Sequence, residues 1–534
     1  MSKKESKFKS SLILGGLVGT GGLFIAKLIS LFYAIPFSSI LASDAYMSYY
    51  GTAYRIYSYI LNIFTAGVPL AISALVAKYL VKDDYKTVLI FKRLAFITLT
   101  ITGFLGMLLM LVVAGFMAPS IAMVGDEAIV KNVFRLLSLA ILFVPILSAF
   151  RGYYQGHKEM KQFAFSQSFE QIFRVGFLLS FAYISVYLMG KERKWALYFA
   201  VLSTSVAAIA GIAQFVLFDR KSSPEIDKLA KAQNTKTAPI EELFKELISL
   251  AIPYLIMAVM GYSDDLLYSI LMPKALKMHG YSEANMSTIL SAFNYVGTKM
   301  NAIPMILAPG FSTALIPHIT EAVTLKDYKR LAKNVKDCVN IILYVGLPVS
   351  FCIFLYADGI YKTLFYTDDF ALAVKALQWL SIEGFLSTIT PIVSSIMMAL
   401  GLRKVLLKRL AVYSLIKLIL IVPLIYLIGY SGAVVGSLIG CIYILIFNFK
   451  DITTIYHVNF SATIRKCVKI CLSLLIMMAV CSLLRKIGLD FTSGSKLVCL
   501  IKMIVNGLLT VGVYFGITWF MRIPQTIFHI GSKS

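Results

Sequence analysis

The sequence is divided into long apolar segments, and their length limits the folds open to the chain. A helix that spans a bilayer needs about 20 consecutive, mostly apolar residues, because the hydrocarbon layer is about 30 Å thick. About fourteen segments meet this criterion, and we therefore predict an all-α polytopic membrane protein. Their approximate limits are 11–36, 46–79, 92–117, 128–151, 163–189, 195–218, 245–272, 284–316, 336–357, 370–400, 405–428, 432–450, 466–485 and 497–521.

The composition agrees with this class. Of the 534 residues, 59% are hydrophobic and 15% are charged, and the mean hydropathy is +0.80. The net charge of +24 is spread over short loops between apolar segments rather than gathered in one basic domain, so we expect no nucleic-acid partner. The first apolar segment is long and lacks a cleavage-site pattern, and we expect it to remain as a spanning helix.

The placement of basic residues predicts the orientation. With a cytoplasmic N-terminus, the inner loops and segment ends hold 32 of the 51 Lys and Arg residues and the outer ones hold ten. The other nine are assigned to the apolar segments themselves: Lys27, Arg55, Arg135, Arg174, Lys299, Lys375, Lys417, Lys469 and Lys502. This bias predicts that both termini are cytoplasmic. The outer loops at 191–194 and 485–486 run against the bias locally.

One polar segment, 219–245, splits the chain near its middle and suggests an internal repeat. An offset of 243 residues aligns Gly67 with Gly310, Ala71 with Ala314, and the Asp84-Tyr85-Lys86 triplet with Asp327-Tyr328-Lys329; an offset of 245 aligns Gly156 with Gly401. Both halves begin on the same side, so the repeat is parallel. We predict a first lobe at 1–218, a linker at 219–245, a second lobe at 246–456, and two added helices within 457–534.

Catalysis fits the sequence poorly. The five histidines are widely spaced, the outer loops are short, and no nucleophile, zinc or phosphate-loop motif occurs. The seven cysteines lie in or beside apolar segments, as buried helical residues do. We therefore expect no enzyme activity, cofactor or bound metal.

Cations inside apolar segments are the informative residues. A charge at the centre of a bilayer costs about 2.5–3.5 kcal/mol on insertion scales, so such residues usually face a wet cavity or a partner. We predict that Lys27, Arg55 and Lys299 line a central cationic cavity, with Arg174 and Lys417 as further substrate-binding candidates. The alternative is that these cations form salt bridges with acidic residues on other helices, which the sequence does not reveal.

Acidic residues at similar depth are fewer. Glu170 and Arg174 are spaced i,i+4, so we predict that they form a pair on one helix face. Asp264 and Asp265 either neutralise Lys299 or bind a coupling cation, and Glu383 is a further candidate for ion coupling or charge pairing.

A cationic cavity favours an anionic substrate. Phosphate and pyrophosphate fit best, because a guanidinium offers a bidentate fork and lysine a point charge. An exporter of organic cations should instead carry carboxylates and aromatic residues at these positions.

Three segments carry a resemblance to a known family. "FRGYYQGHKEMK" (150–161), "TAYRIYSYILNIFTAGVPLAISALVAKY" (52–79) and "GTKMNAIPMILAPGFSTALIPHI" (297–319) resemble the polysaccharide-export and MurJ/SpoVB/YtgP-type flippases of the MOP superfamily, which is MATE-like. The resemblance covers essentially the whole chain, including the plan of six, six and two helices.

The resemblance implies a flippase for lipid II, the undecaprenyl-pyrophosphate-linked peptidoglycan precursor, acting by alternating access in the bacterial cell membrane. It implies a groove for the polyprenyl tail in the last two helices. Lys27 matches a position where the family usually has arginine, and Lys417 falls where some members bind a cation, which argues against a sodium site here.

Alternatives stay open at this point. They are a flippase for a capsule, teichoic or spore-cortex precursor, a MATE-type multidrug antiporter, and a scaffold without transport. We expect a monomeric transport unit in contact with membrane lipid, coupled to the membrane potential or to a monovalent ion.

Overall fold

The structure, a computed structural model, describes residue 29 and residues 32–65, 67–234, 237–261 and 263–528. Side chains are described in these ranges except at residues 257, 258, 261, 263–265 and 306–317. Lys27 lies outside the described residues. Asp264 and Asp265 lie on a described helix, but their side chains fall outside the description.

Every regular element in these ranges is a helix. The α-helices are α1 (Phe32–Leu41), α2 (Asp44–Thr65), α3 (Val68–Leu80), α4 (Tyr85–Ile121), α5 (Glu127–Gly156), α6 (Met160–Tyr183), α7 (Lys194–Ala232), α8 (Ile240–Gly261), α9 (Ser263–His279), α10 (Glu283–Ser291), α11 (Gly297–Thr324), α12 (Tyr328–Leu355), α13 (Ala357–Thr363), α14 (Phe370–Ala399), α15 (Arg403–Ile428), α16 (Ser431–Tyr456), α17 (Ser461–Leu484), α18 (Lys496–Phe520) and α19 (Ile523–Ile527). Three π-helical turns occur at Ile184–Leu188, Ala292–Val296 and Arg485–Leu489.

The predicted fold class is confirmed. The described ranges contain eleven helices that are long and apolar enough to cross a membrane, with α2 and α3 counted together. Many of their large apolar side chains are exposed, as expected for helices that face lipid. The count of fourteen stays a prediction.

The chain divides into two compact units, each with its own apolar core. The first comprises Met1–Leu41 and Ala45–Ile270, and the second comprises Ala42–Asp44 and Leu271–Ser534. The core of the first unit lies among α3, α4, α5, α7 and α8. The core of the second is built largely by α11, α12, α14 and α16–α19. The lobe boundaries predicted from the sequence stay predictions.

Helix boundaries recur at a spacing of 243 residues. The helices α4 and α12 begin at Tyr85 and Tyr328, α5 and α14 at Glu127 and Phe370, and α6 and α15 at Met160 and Arg403. Asp84 caps α4 by accepting from the Thr87 amide at 3.1 Å, and Asp327 caps α12 by accepting from the Arg330 amide at 3.0 Å. Each aspartate satisfies an amide that the first helical turn leaves open. The repeated triplet therefore marks the same structural position twice.

The alignment of Gly156 with Gly401 is wrong. Gly401 has φ +78, and the residue with the same role in the first half is Lys158, with φ +63, again 243 positions earlier. The following amides, of Glu159 and Leu402, both donate at 3.0 Å to the carbonyl five residues back. Lys158 and Gly401 therefore occupy equivalent turns. Aligning Gly156 with Gly401 instead shifted the alignment of the two halves by two residues.

Two glycines of the 150–161 segment bring α5 against α3. A Cβ on Gly152 would lie 2.6 Å from the Pro69 carbonyl oxygen, and one on Gly156 would lie 2.7 Å from the Val76 Cβ. Small residues four apart let two membrane helices approach closely, where dispersion drives their association. The 150–161 segment thus has a role in helix packing that its amino-acid sequence alone does not reveal.

Replacing Gly152 by alanine should destabilise the protein by about 1–3 kcal/mol, because the new methyl meets backbone that cannot rotate away. The measurement is the midpoint of thermal unfolding in detergent. Gly115→Ala is the matched control: it lies inside α4 with no atom within 4 Å of the added methyl, so its midpoint should stay level or rise. Equal midpoints for the two variants would contradict the packing role.

The basic loop at 191–194 is stabilised by contacts within the first unit. The Lys191 ammonium lies 4.9 Å from the centroid of the Trp195 ring, and Arg193 donates to the Leu41 carbonyl at 3.2 Å. These contacts give the cations structural roles, which accounts for one local departure from the charge bias.

In the second such loop, Arg485 is paired with carboxylates. Arg485 pairs with Asp358 at 2.7 Å and with Asp490 at 3.3 Å. Burial raises the pKa of Asp490, but hydrogen bonds from Thr492 and Ser493 and the charge of Arg485 outweigh it, so that this pKa lies below its ordinary value. Local pairing thus explains the basic residue in this loop.

Candidate substrate-binding residues

Arg55 lies in the tyrosine-rich helix α2. It is partly exposed, and its guanidinium carbon lies 5.3 Å from the centroid of the Tyr268 ring in the same unit. A cation over an aromatic face is attracted to the electron-rich ring. The contact fixes the orientation of a guanidinium at membrane depth.

Arg174, on α6, is surrounded by tyrosines. Its guanidinium carbon lies 5.5 Å from the centroid of the Tyr33 ring, and the Tyr33 hydroxyl shares a hydrogen bond of 3.1 Å with that of Tyr50. The hydroxyl of Tyr54 bonds that of Thr204 beside them. Among the described residues, no carboxylate lies within ion-pair distance of Arg174. Its charge is therefore held by aromatic rings and hydroxyl dipoles.

The predicted pair of Glu170 with Arg174 is wrong, because Glu170 pairs with Arg151 on α5 at 2.6 Å. Arg151 is 9% exposed and also donates to the hydroxyl of Ser166 at 3.0 Å and to its carbonyl at 3.2 Å. Ser166 and Glu170 lie one turn apart, so one guanidinium fork reaches both. Spacing along one helix gave no sign of this partner on another.

Lys299 follows a π-helical turn inside a continuous helix. The Gly297 amide donates to the Ala292 carbonyl, five residues back, and the Thr298 hydroxyl donates to the carbonyls of Phe293 and Asn294 at 3.3 and 3.1 Å. A Cβ on Gly297 would lie 2.7 Å from the Ala292 oxygen. Such turns are frequent at functional sites, and this one sets the face on which the partly exposed Lys299 lies.

Glu383 lies on α14, beside α11. It is 6% exposed, and its neighbour Gly384 leaves room for Asn301, whose amide donates to the Leu380 carbonyl at 3.2 Å. The structure therefore places Glu383 in a buried polar region of the second unit. A role in ion coupling or charge pairing stays a prediction.

Lys417 is buried in the second unit. It is 4% exposed, its ammonium donates to the Tyr413 hydroxyl at 2.8 Å, and it lies 4.7 Å from the centroid of that ring. Gly440 makes room for this pair, since a Cβ there would lie 2.9 Å from the Tyr413 ring. A direct contact between Lys417 and a substrate stays a prediction.

The spacing of 243 residues also relates these cations. It places Arg174 at the position of Lys417, and Glu170 at that of Tyr413. Each unit thus holds one cation at the same place in its repeat, beside a tyrosine ring. Glu170 in the first half corresponds to Tyr413 in the second: Glu170 pairs with Arg151 on another helix, whereas Tyr413 accepts a hydrogen bond from Lys417 itself.

Asp44 is a buried residue that the sequence analysis missed. It is 1% exposed and accepts hydrogen bonds from the hydroxyls of Thr288 and Thr367 at 2.8 and 2.9 Å and from the Asp368 amide at 2.8 Å. Its own amide donates to the Asp368 carboxylate at 3.0 Å. All four residues belong to the second unit. In the sequence, Asp44 is an isolated acidic residue between two apolar segments, and this position could have marked it as a candidate.

The described candidate residues offer positive charge and hydrogen bonds. No group of three or more His, Cys, Asp or Glu side chains that could hold a metal occurs in the described ranges. What the described candidates share is positive charge at membrane depth, in Arg55 and Arg174 of the first unit and Lys299 and Lys417 of the second. These groups can bind an anion, phosphate above all.

Comparison with known proteins adds a family. The family model described as "Polysaccharide biosynthesis protein" matches residues 12–323. The lipid II flippase MurJ of Bacillus subtilis (strain 168) is 30% identical over 455 residues, covering 82% of each chain. Stage V sporulation protein B of the same organism is 24% identical over 319 residues, covering 58% of each chain.

Solved structures agree on the fold. The lipid II flippase MurJ in an inward closed conformation matches with a TM-score of 0.65 and 16% identity, covering 96% of this chain and 99% of that one. A multidrug resistance MATE family transporter of the MOP superfamily, in an inward-facing conformation, matches with a TM-score of 0.58 and 16% identity, covering 80% and 93%.

Proposed function

This chain belongs to the polysaccharide biosynthesis protein family, and on that premise we propose that it is a flippase for a polyprenyl-linked glycan, with lipid II as its substrate. The observation that carries the proposal is the 30% identity to a lipid II flippase over 82% of both chains. The family match and the similar fold support the same proposal.

The chemistry of the cations supports an anionic headgroup. In this proposal Arg55 and Lys299, with Lys27, bind the pyrophosphate or neighbouring acidic groups, and Arg174 and Lys417 are further substrate-binding candidates that contribute positive charge. A guanidinium binds phosphate oxygens in pairs and an ammonium binds them as a point charge. The same charges disfavour an organic cation, the substrate class of a multidrug exporter, although the fold is shared.

Transport by alternating access follows from the cost of the headgroup in hydrocarbon. Unpaired polar groups cost several kcal/mol each there, so a sugar headgroup needs a polar path while its polyprenyl tail stays in the bilayer. We propose that the cations face one side of the membrane and then the other. The proposal includes a multi-pass protein of the bacterial cell membrane with both termini cytoplasmic, working as a monomer and coupled to the membrane potential or to a monovalent ion.

A second candidate is a flippase for another polyprenyl-linked glycan, such as a capsule, teichoic or spore-cortex precursor. The 24% identity to a sporulation protein over 58% of each chain favours the spore-cortex form. In both candidates the same cations would bind the phosphate groups of the polyprenyl carrier, and the candidates differ in the headgroup attached to it.

Growth rescue tests the proposal. The full chain is expressed in Bacillus subtilis from which the lipid II flippases are removed or depleted, with an empty vector as control. We expect restored growth, together with restored access of an externally added probe to lipid II on the cell surface. Failure of both in cells that contain the protein in the membrane contradicts the lipid II assignment. Rescue of a sporulation-defective strain alone would favour the second candidate.

A further inference from the structure

A cleft of about 660 Å³ lies between α4 and α7, near the beginning of α4. Its floor is an ion pair, in which the Lys92 ammonium contacts the Asp219 carboxylate at 2.6 Å and the Ser223 hydroxyl at 2.9 Å. The Tyr154 hydroxyl also bonds Asp219. The floor is therefore neutral and fully hydrogen-bonded, and it holds the two helices in a fixed relation.

The rim of the cleft carries unneutralised charge. Arg93 on α4 and Arg220 on α7 are both exposed, and no described carboxylate lies within ion-pair distance of either. Asp227 is the remaining charged residue of the lining. Three cations and two carboxylates leave the cleft with one net positive charge, which complements a ligand with one negative charge.

The wall of the cleft continues into an apolar stripe. Ile97 lines the cleft and is 57% exposed, and Ile101, Phe104 and Leu108 follow it at helical spacing on the same face of α4, all exposed. Only 22% of the most apolar part of α4 is buried inside the protein, as expected for a helix that faces lipid. The two arginines at the rim are followed along α4 by exposed apolar side chains. A ligand with a charged headgroup and a long apolar tail is complementary to this arrangement.

We propose that this cleft binds an anionic glycerophospholipid with one negative charge, such as phosphatidylglycerol. Its phosphate lies between Arg93 and Arg220, and one acyl chain follows Ile97 and Ile101 along α4. Basic pockets between membrane helices bind anionic headgroups in this way. A soluble anion would leave the apolar stripe unused, and a phosphatidylcholine would bring a quaternary ammonium against the two guanidinium groups. The site is separate from the candidate transport residues.

Native mass spectrometry of the full-length protein in detergent tests the site. The protein is titrated with phosphatidylglycerol or phosphatidylcholine of the same acyl chains. We expect the wild type to bind phosphatidylglycerol preferentially. The variant R93Q/R220Q should bind it about tenfold more weakly or worse, because the lipid phosphate then loses both of its charged partners. The matched control K228Q/K231Q removes two charges from α7 outside the cleft and should bind as the wild type does.

A photoreactive phosphatidylglycerol with the label on its acyl chain locates the site. We expect labelled peptides from α4 between Ile97 and Leu108, and loss of that labelling in R93Q/R220Q. Three results would overturn the proposal: no preference between the lipids in the wild type, equal weakening in both double variants, or labelling confined to other helices. Glycerol phosphate competing as well as the lipid would also overturn it, because the site would then recognise a soluble anion. An acidic peptide that displaces the lipid at equal concentration would assign the rim to a protein partner instead.

Discussion

Arg55→Ala is expected to abolish growth rescue while the protein still reaches the membrane. Removing a charge from membrane depth relieves an insertion cost of about 2.5–3.5 kcal/mol, so insertion should not suffer. Transport should suffer, because a charge-assisted hydrogen bond is worth about 1.5–3 kcal/mol. We therefore expect the rate of lipid II flipping in vesicles to fall about 10–100-fold. Lys299→Ala should have an effect of the same size.

The chain offers matched controls for both substitutions. Arg135 on α5 and Lys375 on α14 also lie inside apolar segments, but both side chains are exposed, and we expect them to reach the membrane surface. Arg135→Ala and Lys375→Ala should retain rescue. Arg55→Lys keeps the charge but not the bidentate geometry, so an intermediate rate is expected. Lys27→Ala extends the same test to a residue outside the described ranges.

The outcome separates a binding role from a folding role. If Arg55→Ala and Lys299→Ala restore growth fully, these cations do not bind the substrate, and the proposed site is wrong. If they fail but also lower the thermal midpoint in detergent by more than their controls do, the loss reflects stability. Loss of rescue at unchanged midpoint and unchanged membrane level is the result that the proposal requires.

The features that sequence reasoning predicted well depend on contacts close along the chain. Apolar length fixes where helices cross the membrane, and the Asp84-Tyr85-Lys86 triplet marks a helix start because a cap bonds an amide three residues away. The repeat spacing of 243 residues could therefore be predicted from Asp84 and Asp327, which cap equivalent helices. Gly156 misled the alignment because Lys158 adopts a positive φ that usually signals glycine.

The features that it could not predict depend on partners distant along the chain. Glu170 has a cation four residues away, yet it pairs with Arg151 on another helix. Helical spacing compares residues of one helix only, so it cannot predict a partner on a different helix. The π-helical turn before Lys299 is stabilised by Thr298 and requires Gly297 against Leu380, so it emerges from packing. A single sequence places a cation at membrane depth, but it does not say what lies beside that cation.

Asp44→Ala should strongly destabilise the protein. It removes the acceptor for two threonine hydroxyls and one backbone amide, and it leaves those donors in a buried site. An unsatisfied buried donor costs about 1–3 kcal/mol, so a total loss of about 3–5 kcal/mol is reasonable for three donors that can partly rearrange. At about 2–4 °C for each kcal/mol, the thermal midpoint should fall by roughly 6–20 °C.

Asp44→Asn distinguishes the charge from the hydrogen bonds. An asparagine oxygen can accept from Thr288, Thr367 and the Asp368 amide, but its amide group adds a donor where the Asp44 carboxylate offered only acceptors. We expect its midpoint to lie between those of the wild type and Asp44→Ala. Glu127→Ala, an exposed acid in the first turn of α5, is the control and should change stability by about 1 kcal/mol or less. If Asp44→Ala unfolds at the same temperature as this control, the buried donors have found other partners, and Asp44 does not stabilise the second unit. If Asp44→Asn matches the wild type instead, the acceptor geometry alone is what the site needs, because a neutral oxygen then serves the three donors as well as a charged one.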